Sequence, residues 1–401
     1  MSGILKELGV ETRAVALDAP DTGAEMEEFE FEPNEMELEL AAAEAEKRKA
    51  SAPERIRHWL DLAALHRNIA LRAGTQKRAR LKQAELVVRR ALEIAAQARD
   101  TLGYISSVDA LAEVFTAMKN YSATERLLQE GIRLEASLPH PDPLRTARRI
   151  HFLGIVRHRA GKSDDAVPAL EKAVHLHEQN LGTDHDETMC ALAELGAVHR
   201  ARGCHELAQR CLYHAVRHFQ NTKGASASES IETLSQLVGS FEDAGDRESA
   251  SHEYERLLVL IEREVGRNQD EIGEMQFSVA SVYIRWGDYT RARELLGECL
   301  GTFRRGGGPR LAVGHEVLAY VEEALGHYSD AVRELATAAK AWASCGNRNT
   351  ELAVNLSYRA ELLDQLKRTR EAAWLREQVA DLEAGKTEIV ERLAVLRPSS
   401  A

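Results

Sequence analysis

The chain is constrained most by a phrase that keeps returning: a glycine, a few polar residues, then a helical run with a small residue near its start. It reads GKSDDAVPALEKAVHL at Gly161, GCHELAQRCLYHAVRH at Gly203 and GDRESASHEYERLLVL at Gly245. It returns as GDYTRARELLGECLGT at Gly287 and as GHYSDAVRELATAAKA at Gly326. The alanines that mark it are Ala166, Ala208, Ala250, Ala292, Ala331 and Ala372, spaced by 42, 42, 42, 39 and 41 residues. Such a period predicts an array of stacked supersecondary units, each burying its apolar faces against its neighbours. The 401 residues therefore need not divide into several globular cores. With aromatics at 5% and nine prolines, against abundant Ala, Leu, Glu and Arg, the units are expected to be helical.

Each phrase follows a second helical stretch, so the unit reads as a hairpin: helix A, a glycine turn, helix B. Residues 54–98 hold a first, degenerate pair, with Ile56, Leu60, Leu65 and Ile69 on one stripe and the long junction RAGTQKRAR. The third unit has Leu153-Gly154 on helix A, Gly161 at the turn and Ala166, Leu170 and Ala173 on helix B. Pro168 is expected near the start of that helix, where a missing N–H costs least. The fourth unit repeats the scheme with Leu195-Gly196, Gly203, Ala208, Leu212 and Ala215. In the eighth, Lys367 stands where the turn glycine belongs. Small residues let the two helices approach, large ones fill the space between hairpins, and glycine accepts the left-handed conformation that ends helix A. Residues 1–50 are set apart as an acidic, largely disordered arm with a helical end, 51–385 as the array, and 386–401 as a capping helix and tail. In that last stretch Ile389, Leu393 and Leu396 share one side, which could alternatively pair two chains.

This pattern resembles the tetratricopeptide repeat family over about residues 54–383. The period exceeds the family's usual spacing of about 34 residues, and the extra length is expected between helix B and the next helix A. One such connector, Asn180-Leu181-Gly182-Thr183-Asp184-His185-Asp186-Glu187-Thr188, is similar to the LGxxHPxT connector of kinesin light chain repeats, with Asp186 in place of proline. The subtype resembled is thus the kinesin-light-chain-like one, without the heptad region of true light chains. The resemblance implies an all-α, right-handed superhelical solenoid of about eight antiparallel helix-hairpin repeats, with helix A on the inner wall. It also implies a peptide-binding groove read at fixed helix A positions. In the third repeat these are Arg148, His151, Ile155, His158 and Arg159, and in the fourth Arg200 with the small Ala193 and Ala197. Later repeats contribute Phe277 and Tyr320 among Glu232, Glu242, Asp243, Glu316, Tyr358 and Glu361.

Formal net charge is −12, and residues 1–50 account for −9 of it, with 14 acidic and 5 basic residues. The rest of the chain is nearly balanced, so no concentrated positive surface points to nucleic acid. No apolar run is long enough to span a membrane, and the start MSGILKELGVETR lacks a signal-peptide pattern. Five cysteines without framework spacing are expected as free thiols, and the protein as cytoplasmic.

No phosphate loop, nucleophile elbow or zinc-protease motif occurs, so neither an enzyme nor a cofactor is expected. The triple glycine 306–308 reads as a hinge or spacer before Pro309 in a connector between repeats six and seven. Cys204, Cys211, His214 and His218 share a helix side, but about 10 Å of helical rise separates the two thiols, so no metal is assigned. The expected function is a non-enzymatic scaffold or adaptor that holds a protein or an extended, acidic-aromatic peptide; the alternative is a ligand-responsive sensor that releases or recruits a partner. Pairing of two chains through terminal repeats is a further expectation. The arm carries a matching string, Glu28-Phe29-Glu30-Phe31-Glu32, which could fold back and inhibit the groove.

Overall fold

The computed structural model describes residues 33–72, 77–221, 227–265, 269–346 and 348–385. Among these residues every regular element is an α-helix. A leading helix, α1 (Pro33–Lys47), precedes sixteen that alternate as A and B in the expected order. They are α2 (Ala52–Arg72) and α3 (Lys77–Ala98), α4 (Thr101–Ala117) and α5 (Tyr121–Ala136), and α6 (Pro143–Arg159) and α7 (Ser163–Leu181). Then come α8 (Asp186–Ala201) and α9 (His205–Asn221), and α10 (Ala227–Ala244) and α11 (Arg247–Val265). The last are α12 (Gln269–Trp286) and α13 (Tyr289–Gly306), α14 (Gly308–Ala324) and α15 (Tyr328–Ser344), and α16 (Asn349–Gln365) and α17 (Thr369–Glu383). The string at 28–32 and the capping segment 386–401 lie outside the described residues.

The chain forms two compact units, residues 1–247 and 248–401. In the first, α2 to α9 make four hairpins, each helix B packs on the next helix A, and α10 closes the series against α9. Helices A also touch one another directly, α2 with α4, α6 with α8 and α8 with α10. In the second unit α12/α13, α14/α15 and α16/α17 are hairpins stacked the same way.

The recurring phrase explains this packing atom by atom. All six marker alanines are fully buried, at 0% exposure. A methyl group added at Gly154 would lie 2.5 Å from Leu170 Cγ, and one at Gly196 would lie 2.7 Å from Leu212 Cγ. These glycines are therefore the contact points that let helix B seat its leucine on helix A. At the turns, Gly161, Gly203, Gly245, Gly287 and Gly326 have φ between +73° and +82°. The turn closes when Gly161 N–H donates to His158 O and Lys162 N–H to Arg157 O, both at 2.9 Å. Lys367 takes the same left-handed conformation with φ +61°, at a cost of roughly 1–2 kcal/mol to a residue with a Cβ.

Three expectations need correction. The extra length of the repeat lies in the helices, since only residues 182–185 separate α7 from α8. Pro168 is the sixth residue of α7, beyond the first turn, so it removes an internal hydrogen bond. In the same stretch Arg157 donates to the Asp165 carbonyl at 3.2 Å. Of the two readings of the triple glycine, the spacer fails: Gly307, with φ +60°, alone separates α13 from α14.

Two buried ion clusters fasten unit 1. The Arg149 guanidinium, 7% exposed, donates to both Asp109 oxygens at 2.7 Å and to Glu135 Oε2 at 3.0 Å. It thereby ties α4, α5 and α6, and Gly131 leaves room for its stem. The leading helix is held by Glu35, which pairs with Arg80 and lies 3.3 Å from His66 Nδ1. Glu46 adds bonds from Arg90 Nε and Nη2 at 2.9 and 2.8 Å and from Trp59 Nε1 at 3.0 Å.

Candidate functional site

Consecutive helices A meet along a wall in unit 1, and side chains from one wall helix reach the next. Arg148 on α6 donates through Nε and Nη2 to Glu187 at the start of α8, at 2.8 and 2.6 Å. This bond holds the Glu187 carboxyl below its usual range and raises the guanidinium. Arg200 on α8 donates through Nε to Asp243 at 2.6 Å and through Nη1 to Gln236 at 3.0 Å, both on α10. Gly239 makes this possible, because an added Cβ there would collide with the Arg200 guanidinium. Two of the expected groove cations are thus fixed in place by the neighbouring wall helix, each with one terminal nitrogen left over among the described residues.

Arg159 differs. It is exposed, and among the described residues no hydrogen bond or ion pair engages it. Its charge is felt at Glu194 on α8, where burial pushes the carboxyl up and Arg159 pulls it back, with Glu232 adding to the rise. His158 is occupied at the turn, with Nδ1 3.1 Å from Ser163 Oγ, and burial followed by the Arg159 charge pushes it down.

His151 faces the interior more than a ligand. Its ring meets that of His177 edge-on, centroids 6.1 Å apart, and its buried Nε2 has no partner. Burial, then the His177 ring, pushes it down to about 4. His177 is fully buried on α7 with neither ring nitrogen hydrogen-bonded; its Nδ1 lies 3.7 Å from Glu187 Oε2. Both rings are therefore neutral near pH 7. This histidine pair escaped sequence reasoning because His177 stands on helix B, away from the positions assigned to the groove. His185, in the connector, caps α8 by accepting from Glu187 N–H at 3.2 Å.

In unit 2 the wall is built similarly. Arg310 on α14 pairs with Glu274 on α12 at 2.9 Å. Glu316 Oε1 accepts from Trp342 Nε1 at 2.8 Å and from Asn355 Nδ2 on α16 at 2.9 Å, and Tyr358 donates to Glu323. Phe277 is half-buried against Phe303, centroids 6.3 Å apart. Tyr320 is 47% exposed, its ring 6.3 Å from Tyr289, and the Tyr289 hydroxyl raises its phenol. Phe277 and Tyr320 thus belong to a wall of the second unit, and the predicted cations to a wall of the first.

Among the described residues, two trios of side chains bring oxygen and nitrogen ligands within 4.8 Å of one another, Glu35/Glu39/His66 and Glu322/His327/Asp330. Arg80 lies within the first, and Asp330 of the second is paired with Arg333 at 2.8 Å, so each is matched by a protein cation. His218 Nε2 bonds Asp186 Oδ1 at 2.7 Å. The five cysteines are free; burial first, then nearby carboxylates, pushes the Cys190 and Cys299 thiols up to about 12, the opposite of a reactive thiolate. No helix among the described residues is long and apolar enough to cross a membrane.

The sequence profile described as "Tetratricopeptide repeat" matches residues 145–221, the hairpins that carry Arg148, Arg159 and Arg200. No curated protein matches the chain in sequence. Among solved structures, the apo form of RapI is similar over 83% of this chain and 96% of its own, with 13% identity and a TM-score of 0.53. BtubC (BKLC) from P. vanneervenii aligns over 57% of this chain and 92% of its own, at 18% identity and a TM-score of 0.49. Kinesin light chain TPR-like repeats from Podosopora anserina align over 53% and 99%, at 20% identity and a TM-score of 0.42. Residues 145–221 thus match the tetratricopeptide repeat, and the helix hairpins, buried marker alanines and left-handed turn glycines give the described residues an all-α, TPR-like solenoid fold.

Proposed function

We propose that the chain is a non-enzymatic scaffold that holds a protein partner through an extended segment laid along the helix A wall of repeats three to five. The observation that carries this reading is the set of guanidinium donors held ready there. Arg148 keeps Nη1 and Arg200 keeps Nη2 outside their bonds to Glu187, Asp243 and Gln236, and Arg159 keeps its whole fork. Donors already fixed by neighbouring acids lose little side-chain freedom when a ligand arrives. An extended segment offers backbone carbonyls at regular intervals to the fixed arginines, and a carboxylate in it would meet Arg159 bidentately. The acidic-aromatic string at 28–32 is one such segment, and the arm is proposed to compete with a partner for this wall, aided by its tethering.

A labelled peptide of residues 26–33 added to the full chain tests both parts by fluorescence polarisation. Arg159→Glu should weaken binding at least about tenfold, the scale of one charge-assisted contact. Phe29→Ala with Phe31→Ala in the chain itself should tighten binding of the added peptide. Equal affinity in the Arg159 variant removes the wall as the site. Equal affinity in the double arm variant removes the autoinhibition while leaving the wall.

A further inference from the structure

We propose that the outward face of α9 is a docking surface for the leading helix α1 of a second copy of the chain, the two helices lying antiparallel.

This face differs from its counterparts in the other repeats. Counted from the turn glycines, the place of Asp165, Ser249, Arg291 and Asp330 is taken in the fourth repeat by Leu207. The place of Glu171, Glu255, Gly297 and Ala336 is taken by Tyr213. Leu207 is 45% exposed and Tyr213 52%, and with Arg210 and His214 they line a shallow depression of about 650 Å³. The same replacements leave the cations of α9 without acids. On α11, α13 and α15 an acid three residues away holds an arginine: Glu253 with Arg256, Glu294 with Arg291 and Asp330 with Arg333, at 2.6, 2.7 and 2.8 Å. On α9 the residues three places from Arg210 are Leu207 and Tyr213, and those three places from Arg217 are His214 and Gln220. Both guanidiniums are exposed, and neither has a hydrogen bond or ion pair among the described residues.

The complement stands on α1. That helix buries Glu35, Ala42 and Ala45 and exposes Met36 at 66% and Leu40 at 58%. Glu37 and Glu44 bracket Leu40 in sequence, exposed and without a bonded cation among the described residues. They are seven residues apart, as Arg210 and Arg217 are, which is two turns or about 10.5 Å of rise on either helix. Laid antiparallel, Glu37 meets Arg217, Glu44 meets Arg210, and Leu40 comes level with Tyr213 and His214. Lys47, three residues beyond Glu44, then meets Glu206, four before Arg210. A parallel arrangement keeps the first two pairs and loses the third.

Within one chain these faces stay apart. The Glu35 and Glu46 bonds fasten α1 to α2 and α3, and the hairpins α2/α3, α4/α5 and α6/α7 stack between it and α8/α9. The α1 that reaches α9 therefore comes from another copy. Each chain offers one of each face, so two copies either close the contact reciprocally or pass it on head to tail. A single helix-on-helix contact is smaller than a stable interface and its ion pairs stay near water, so the association is weak and falls with salt.

Sedimentation equilibrium of the full chain tests the proposal. The mean mass should rise with protein concentration at low salt and return towards that of one chain at high salt. Glu37→Arg/Glu44→Arg and Arg210→Glu/Arg217→Glu should each weaken association at least about tenfold, because like charges then face one another. Both reversals in one chain should restore it, and an equimolar mixture of the two variants should associate where neither does alone. The four side chains are exposed, so each variant should keep the parent's thermal midpoint. Arg159→Glu, which alters the helix A wall, should leave the mass unchanged, separating this contact from an arm bound at that wall. A parent chain that stays monomeric overturns the proposal and leaves the α9 face to an acidic helix of a different protein. So does association that either reversal leaves intact, or that the combined reversal fails to restore.

Discussion

Replacing Gly154 by alanine tests the central packing claim, because local propensity and packing predict opposite signs. In a helix interior alanine is favoured over glycine by about 1 kcal/mol. At Gly154, however, the new methyl would stand 2.5 Å from Leu170 Cγ and 2.7 Å from its Cδ2, where carbon atoms prefer about 3.5–4 Å. Leu170 is fully buried and packs with Ala166, Leu195 and Val198, so it has no free space to turn into. Overpacking of this kind costs about 1–3 kcal/mol, and after the propensity gain the net change is a loss of up to about 2 kcal/mol. Gly297 on α13 is the control: it is helical and exposed, and an added Cβ meets nothing within 4 Å. There the same substitution should stabilise by about 1 kcal/mol. Native-state hydrogen exchange, read at α7 for one variant and α13 for the other, resolves each effect in its own unit. The Gly154→Ala/Leu170→Ala pair adds a coupling test, since truncating the leucine removes the clash and the double change should cost at least about 1 kcal/mol less than the sum. A Gly154→Ala protein as stable at α7 as the Gly297→Ala protein is at α13 would refute close helix approach as the reason for the small residues.

The remaining predictions concern charge and backbone. Arg149→Met strands the Glu135 carboxylate, itself 1% exposed, and should cost about 3–5 kcal/mol in urea unfolding, much of it recovered by adding Glu135→Gln. Lys367→Gly relieves a left-handed lysine and should raise stability by roughly 0.5–1 kcal/mol, whereas Gly161→Ala should lower it by about 1 kcal/mol, both visible as shifts of the thermal midpoint. His151, held at about 4 in the fold against 6.5 in the unfolded chain, disfavours the folded state once the unfolded ring protonates. Its contribution is intact above pH 6.5, declines as pH falls towards 4 and then levels off, a span of about 3 kcal/mol that His151→Leu should remove from the pH dependence of unfolding.

The architecture was legible because a solenoid repeats its constraints. Each marker alanine and turn glycine does the same job in successive units, so six weak signals agree where one would not decide. Helix ends were less legible, since a period fixes where units recur and not where helix gives way to connector; the LGTDHDET stretch resembled a loop, yet all but residues 182–185 of it is helical. The pairing of the wall cations was not legible for a different reason. Arg148 and Arg200 stand on wall positions, but whether a cation there is available depends on the next wall helix, one repeat away. Arg148 meets Glu187 at a separation of 39 residues, Arg200 meets Asp243 at 43 and Arg149 meets Asp109 at 40. Opposite charges one period apart are a sequence signal of interlocked wall helices, just as charges four apart mark one helix face.

Applied to Arg159, the same rule gives the opposite result. Residues 195–202 read LGAVHRAR and residues 116–123 read TAMKNYSA, with no acid in either window. No acid bonds Arg159 among the described residues, and Glu194, 35 residues on, only feels its charge, while the acids that answer Arg148 and Arg200 sit 39 and 43 residues away. A basic count along the wall therefore overstates its field, and Arg159, the one of these three guanidiniums with no bonded acid among the described residues, is where an outside carboxylate gains most. That places the discriminating mutation at Arg159: reversal of Arg148 or Arg200 would also break a link between wall helices, and a loss of binding there would not separate recognition from structure.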